Sequence, residues 1–162
     1  MIISATCVIF VPVMEKRKNC LEIYSCDANS HVELLYADEG IRAGFPNPAQ
    51  DFMDLAIDLN TELIKHPSST FYGRVKGDSL IDAGVHDGDI LVIDKSLRPL
   101  NKDMAVCFID GDFTLKYIKI DKKEKGIIWL MPANPDYEPI KVTPENEFII
   151  WGIVTYTIRK QR

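Results

Sequence analysis

The pattern of hydrophobic and polar positions divides the chain into two parts joined by a Gly- and Pro-rich segment. Residues 1–14 form an apolar run whose β-branched side chains favour a buried strand. The run is shorter than the roughly 20 apolar residues of a transmembrane helix, and no positive charges precede it as in a signal peptide. Segments 20–26 and 31–37 flank turn-forming residues, which predicts a β-hairpin. We therefore expect an extended, β-rich N-terminal arm and no membrane segment.

The second part of the chain has one helical pattern followed by strand-like runs. The joining segment, residues 38–48, holds two Gly and two Pro residues and is typical of an extended loop. Apolar residues at helical spacing then predict a single helix over residues 49–65: Phe52, Leu55, Ala56, Leu59 and Leu63. Strand-like runs follow at 71–77, 89–94, 104–110, 113–120, 126–132 and 147–160. This order predicts a mainly β, compact sheet or barrel-like domain with one short helix, rather than alternating βαβ units.

Composition and charge narrow the classes of function. Of the 162 residues, 46% are hydrophobic and 27% are charged, which is the balance of a folded globular protein. The net charge of −5 argues against a nucleic-acid binder that relies on a broad basic surface. The four cysteines form no CxxC pair and only three histidines are present, so no metal site is predicted. We expect free thiols and a cytoplasmic protein without a cofactor.

Ser79 and Lys116 are the residues of the chain that could carry chemistry. Ser79 lies in a Gly-Asp-Ser-Leu sequence after a predicted strand, where glycine permits a sharp turn. No histidine has an aspartate three residues before it, so a Ser-His-Asp triad is not supported. A neutral lysine can also activate a serine. Lys116 is either such a base or an edge-strand lysine that opposes aggregation. As a base its pKa must fall from about 10.4 to about 7, and burial alone can lower a lysine pKa by about 3–5.

Ordered motifs from Gly44 to Lys160 resemble the LexA/UmuD family of self-cleaving Ser–Lys peptidases, most closely its UmuD branch. The motifs are Phe-Pro-Asn-Pro-Ala at 45–49, the serine motif at 77–89, the lysine motif at 110–116, Leu-x-Pro-x-Asn-x-x-Tyr-x-Pro-Ile at 130–140, and Trp-Gly-Ile-Val at 151–154. The resemblance implies a compact, signal-peptidase-like β domain. Together the motifs are far more specific than any one of them.

The resemblance also implies roles for individual residues. Ser79 would be the nucleophile and Lys116 the general base, and the backbone N–H groups of Asp78 and Ser79 would form an oxyanion hole. Members of this family cleave their own chain between a small residue and Gly, which implies cleavage between Ala43 and Gly44. Neither a cofactor nor a metal ion is implied.

Cleavage there would divide the chain into an arm, residues 1–43, and a peptidase and dimerisation domain, residues 44–162. By resemblance, a RecA–single-stranded-DNA filament would promote the cleavage. The trimmed homodimer would assist a UmuC-like translesion polymerase in the SOS response. LexA-type repressors carry a helix-turn-helix domain before the cleavage site, whereas residues 1–43 are acidic and β-like, so we expect no sequence-specific DNA binding.

Three alternative functions remain open from the sequence. The first is a non-cleaving protein-binding module of the same fold, in which the arm only covers a partner surface. The second is a LexA-like regulator. The third is a processing peptidase acting in trans, as signal peptidases do, although no membrane anchor is predicted. Self-cleavage is favoured mechanistically, because a tethered substrate has an effective concentration on the order of mM.

Overall fold

The computed structural model describes residues 21–25, 33–36, 55–121 and 127–162. These residues form ten strands, one α-helix and two short 3₁₀ helices, Pro67–Ser69 and Ile81–Ala83. In chain order the main elements are β1 Glu22–Ser25, β2 Glu33–Tyr36, β3 Leu55–Asp58, α1 Leu59–Leu63, β4 Thr70–Arg74, β5 Ile90–Asp94, β6 Met104–Ile109, β7 Asp112–Asp121, β8 Ile127–Met131, β9 Ile140–Lys141 and β10 Phe148–Ile158. The prediction of a mainly β fold with one short helix is confirmed.

Eight of these strands form one antiparallel sheet in the order β1-β4-β5-β10-β6-β7-β8-β9, and β2 pairs with β3 separately. Strand β10 joins the two halves of the large sheet. Its residues 148–153 pair with β6 and its residues 153–158 pair with β5, with a register shift in each pairing. Within the described ranges, no helix is long and apolar enough to cross a membrane.

Two clusters of buried residues form the core. One consists of Val75, Leu80, Val85, Leu91, Ile93, Val106 and Leu115. The other consists of Ala105, Cys107, Ile118, Leu130 and Ile153. The first cluster holds the chain next to both candidate catalytic residues, because Leu80 follows Ser79 and Leu115 precedes Lys116. Burial of such side chains stabilises the fold by about 1.5–3 kcal/mol each, so the two segments are held firmly.

The helix predicted over residues 49–65 is confirmed over Leu59–Leu63 and is wrong at residues 55–58, 64 and 65. Residues 55–58 form β3, whose backbone pairs with β2, with Leu55 opposite Tyr36. The α-helix begins only at Leu59, after the carboxylate of Asp58 accepts a hydrogen bond from the Asn60 N–H at 2.9 Å. The helical spacing of apolar residues predicted a longer helix, because a local pattern carries no information about a strand partner about twenty residues away. Residues 49–54 lie outside the described part of the chain.

The hairpin predicted between residues 20–26 and 31–37 is also wrong. Strand β1 pairs with β4, with Glu22 opposite Arg74, and β2 pairs with β3. The turn signal between the two segments is local, whereas Leu21 packs against the first core cluster, and this long-range burial favours β4 as the partner. The apolar run 1–14 and three of the cysteines, Cys7, Cys20 and Cys26, lie outside the described residues.

The strands predicted from residue 70 onward are confirmed, with ends that shift by a few residues. Among these strands only β9 was not predicted, because two residues are too few to show an alternation of apolar and polar positions. Cys107 on β6 is a free, buried thiol.

Candidate active site

Ser79 lies on a tight turn that follows β4. Gly77 adopts a φ of 95°, a left-handed conformation that favours glycine, and its N–H donates to the carboxylate of Asp87 at 2.8 Å. After the serine, the Ile81 N–H donates to the Asp78 carbonyl at 3.0 Å and begins a single 3₁₀ turn. Ser79 is half-buried between these two fixed points. The Gly-Asp-Ser-Leu sequence therefore forms the sharp, serine-presenting turn that its glycine predicts.

Lys116 extends from β7 toward this turn. Its Nζ lies 2.8 Å from Ser79 Oγ, 3.1 Å from Thr114 Oγ1 and 3.0 Å from the Leu115 carbonyl oxygen. The residue is only 7% exposed. Because β7 lies between β6 and β8, its lysine has neither the exposure nor the position of an edge-strand charge. The fold thus brings the two residues singled out in the sequence into hydrogen-bond contact.

Burial lowers the pKa of Lys116 below its ordinary value, because the ammonium loses hydration. The Cys107 thiol also influences the pKa of Lys116, and burial raises the pKa of that thiol to about 12. The thiol is therefore neutral at physiological pH and supplies no thiolate to hold the ammonium. A neutral amine fits the three contacts well. Two N–H bonds reach Thr114 and Leu115, and the lone pair then faces the Ser79 hydroxyl.

Two backbone N–H groups at Ser79 have no acceptor in the described part of the chain. Among the described residues, no oxygen accepts a hydrogen bond from the N–H of Asp78 or of Ser79. Their carbonyl groups, in contrast, are both engaged. The Asn134 side chain donates to the Asp78 carbonyl at 3.0 Å, and the Ala133 N–H donates to the Ser79 carbonyl at 2.8 Å. Backbone N–H groups that are free to donate beside a serine can stabilise an oxyanion.

Tyr137 completes the rim of the site. Its hydroxyl donates to the Asp78 carboxylate at 2.6 Å, and this bond raises the pKa of the phenol. Its ring centre lies 5.9 Å from Lys116 Nζ. Sequence reasoning assigned no role to Asn134 or Tyr137. The signal that could have found them is the motif at 130–140, which carries both residues at fixed spacing.

A contact between Asp89 and Arg159 supports the segment that leads into the serine turn. Asp89 is 4% exposed and forms a two-point contact with Arg159, with Nε 3.0 Å from Oδ1 and Nη2 2.7 Å from Oδ2. The Arg159 guanidinium holds the pKa of the Asp89 carboxyl below its ordinary value. The Asp89 carbonyl in turn accepts the Val75 N–H at 2.9 Å. The last residues of the chain are therefore connected to the segment that leads into Ser79.

A cavity of about 80 Å³ opens beside the serine. Its walls include Val75, Ser79, Phe113, Lys116 and Tyr137, together with Leu21 from the arm. A space of this size has room for a small side chain. Within the described ranges, no group of three or more His, Cys, Asp or Glu residues could hold a metal ion. The junction predicted for cleavage, Ala43 and Gly44, lies outside the described residues.

Comparison with known proteins finds a family profile and several bacterial proteins that match most of this chain. The peptidase S24-like family profile matches residues 35–155. Protein SamA of Salmonella typhimurium is 41% identical over 120 residues, which are 74% of this chain and 81% of that protein. Protein MucA of Escherichia coli is 38% identical over 140 residues, which are 85% of this chain and 93% of that protein. The LexA repressor of Mycolicibacterium smegmatis is 38% identical over 120 residues, 74% of this chain and 46% of that repressor.

Proposed function

The chain belongs to the peptidase S24 family, a family of serine peptidases, and from this membership we propose that it cleaves its own backbone between Ala43 and Gly44 with a Ser79–Lys116 dyad. One observation carries the proposal: a buried lysine whose pKa is lowered lies 2.8 Å from the hydroxyl of a serine on a tight turn. Residues 1–43 would be the removed arm and residues 44–162 the peptidase domain.

The chemistry follows from the groups around Ser79. The neutral amine of Lys116 accepts the Ser79 proton as Oγ attacks the Ala43 carbonyl. The N–H groups of Asp78 and Ser79 stabilise the resulting oxyanion. The Lys116 ammonium returns the proton to the Gly44 nitrogen, the peptide bond breaks, and an ester between Ser79 and Ala43 remains. Water, deprotonated by Lys116, then attacks this ester. The Lys116 ammonium returns the proton to the leaving Ser79 Oγ, and Ala43 becomes a C-terminal carboxylate.

The cavity beside the serine supports the choice of bond. At about 80 Å³ it accommodates the methyl group of Ala43, and the absence of a side chain on Gly44 lets the backbone approach a half-buried hydroxyl.

The cellular role we propose is that of a cytoplasmic, UmuD-like protein of the SOS response. A RecA–single-stranded-DNA filament would promote self-cleavage, and the trimmed homodimer would assist a UmuC-like translesion polymerase. Similarity that covers 81% of SamA and 93% of MucA, but only 46% of the LexA repressor, supports this role over that of a DNA-binding repressor. The acidic net charge of −5 supports it too.

The test compares self-cleavage of the wild type with Ser79→Ala, Lys116→Ala and Lys116→Arg from about pH 6 to about 10.5. We expect the wild-type rate to rise with pH as Lys116 becomes neutral and then to level off. Each variant should lose at least about 10²–10⁴-fold in rate. Lys116→Arg should be as inactive as Lys116→Ala, because a guanidinium stays protonated at these pH values. Mass spectrometry of the products should give a new N-terminus at Gly44.

Lys119→Arg is the matched control, because Lys119 is an exposed lysine on the same strand. It should cleave at the wild-type rate. Wild-type cleavage by Lys116→Arg would contradict the dyad mechanism. A wild-type chain that stays intact both at alkaline pH and with a RecA filament would instead favour the non-cleaving binding module.

A further inference from the structure

The segment that follows β8 holds the serine turn at several points. The Ala133 N–H donates to the Ser79 carbonyl at 2.8 Å, and the Ala133 carbonyl accepts the Asp82 N–H at 2.9 Å. Between them, the Asn134 side chain donates to the Asp78 carbonyl at 3.0 Å. The segment therefore holds the backbone on both sides of the nucleophile. Of these three backbone contacts, the Asn134 one comes from a side chain and can be removed by mutation, whereas Tyr137 bonds the side chain of Asp78.

Asn134 is itself rigidly held. The residue is 8% exposed, and its Oδ1 accepts the Asp136 N–H at 2.9 Å. Because the oxygen of the amide is fixed by that donor, the NH₂ group must face Asp78. Both ends of the side chain are thus engaged, and it has no rotational freedom to adapt to a moving serine turn.

The contact with the Asp78 carbonyl sets the direction of a different group. The C=O of Asp78 and the N–H of Ser79 belong to one planar trans peptide, so they point in opposite directions. The Ile81 N–H also donates to this carbonyl, at 3.0 Å, and the Asn134 amide supplies the second bond, so together they fix the carbonyl and with it the N–H on the opposite side. This is one of the two N–H groups without an acceptor among the described residues.

We propose that Asn134 is a positioning residue of the oxyanion hole, which orients the Asp78–Ser79 peptide so that the Ser79 N–H meets the developing oxyanion. The inference rests on the proposed self-cleavage. Asn134 does not contact the reacting atoms or Lys116, so it acts on the stabilisation of the transition state and not on the base. It explains why the motif at 130–140 contains an asparagine.

The experiment measures the pH–rate profile of self-cleavage for Asn134→Ala in the full chain. Removal of one oxyanion-hole donor typically costs about 10²–10³-fold in rate, and a misdirected donor should cost at least about tenfold. We expect the alkaline plateau to fall by that factor while the midpoint pH stays at the wild-type value, because Lys116 keeps its surroundings. Asn101→Ala is the matched control: Asn101 also bonds a backbone group, the Ile120 N–H at 2.8 Å, away from the serine turn. It should keep the wild-type plateau.

A plateau within about twofold of the wild type, or a shift of the midpoint with an unchanged plateau, would overturn the proposal. Should Asn134→Ala lose its folded circular dichroism signal, Asn134→Asp tests the same point, because it keeps the acceptor for Asp136 and loses the donor. Its plateau should fall in the same way. Unfolding of both variants would make Asn134 a purely structural residue. Failure of self-cleavage itself is recognised separately, because the wild type would then stay intact.

Discussion

At the scale of single residues, the site depends on keeping one lysine neutral. Lys116 has three oxygen contacts, and burial, which lowers its pKa, outweighs the opposing influence of the Cys107 thiol. The sequence identifies Ser79 and Lys116 through resemblance to a family. It does not reveal their 2.8 Å contact, because that contact joins residues on separate elements whose approach depends on packing of the whole sheet.

Thr114 offers a test of the balance between the charged and the neutral form of Lys116. Its Oγ1 accepts a hydrogen bond from Lys116 at 3.1 Å, and an ammonium forms a stronger bond of this kind than a neutral amine. Thr114→Val therefore destabilises the charged form more and should lower the pKa of Lys116 further. We expect the midpoint of the pH–rate profile to move to lower pH. Thr143→Val, which removes a hydroxyl outside the site, should leave the midpoint in place. A midpoint that moves upward would show that the hydroxyl favours the neutral amine.

At the scale of elements, the sequence predicts the strands that have a local apolar pattern. It does not predict structure that depends on pairing between distant segments. Strands from β4 to β8 and β10 have alternating or continuous apolar runs, so they are readable one by one. Residues 55–58 follow a helical period but form a strand, since β2 supplies a partner. Asn134 follows no period at all. Its importance comes from the Asp78 carbonyl, 56 positions away in the chain.

Two glycines that pack against one buried isoleucine give an element-scale prediction. A Cβ at Gly152 of β10 would lie 2.6 Å from Ile93 Cγ2 and 3.4 Å from the Asp94 carbonyl, whereas a Cβ at Gly73 of β4 would lie 2.9 Å from Ile93 Cδ1. The Cγ2 atom cannot rotate away easily, but Cδ1 is the end of a flexible chain. Gly152→Ala should therefore cost about 1–3 kcal/mol of unfolding free energy, and Gly73→Ala less.

Urea unfolding of the two variants checks this order. Ile93→Val removes Cδ1 and retains Cγ2, so it should relieve Gly73→Ala in a double mutant and leave Gly152→Ala as unstable as before. Equal costs for the two glycine variants, or rescue of Gly152→Ala by Ile93→Val, would contradict the packing described at the junction of the two half-sheets.

At the scale of the whole molecule, β10 offers a surface for self-association. Among the described strands, residues 154–158 pair with β5 alone, so their second edge faces no strand, and Tyr156 and Ile158 are exposed. We expect a homodimer through this half of β10. Tyr156→Lys with Ile158→Lys should give monomers by sedimentation velocity at micromolar concentration. Ile149→Lys, an exposed position in the half that pairs with β6, should remain dimeric. A monomeric wild type would contradict the prediction.

Cleavage between Ala43 and Gly44 would not by itself free the arm. Strand β1 belongs to the arm but pairs with β4, Glu22 forms an ion pair with Lys76, and Leu21 packs on the first core cluster beside the cavity of Ser79. Strand pairing and apolar burial do not require the covalent link, so the two pieces should stay together.

We therefore expect residues 1–43 to elute with residues 44–162 in gel filtration after complete cleavage, and to separate only in denaturant. Leu21→Asp should raise the fraction of free arm, because a carboxylate cannot replace the leucine against the apolar cluster without a large loss of hydration, although β2 of the arm still pairs with β3. Tyr24→Ser is the matched control, since Tyr24 is half exposed on the same strand, and it should retain the arm. The same measurement on a Ser79→Ala chain, cut by an added protease at a site inserted between residues 37 and 43, separates retention from self-cleavage. Free arm in the wild-type sample would show that β1 stays in the sheet only while the chain is intact.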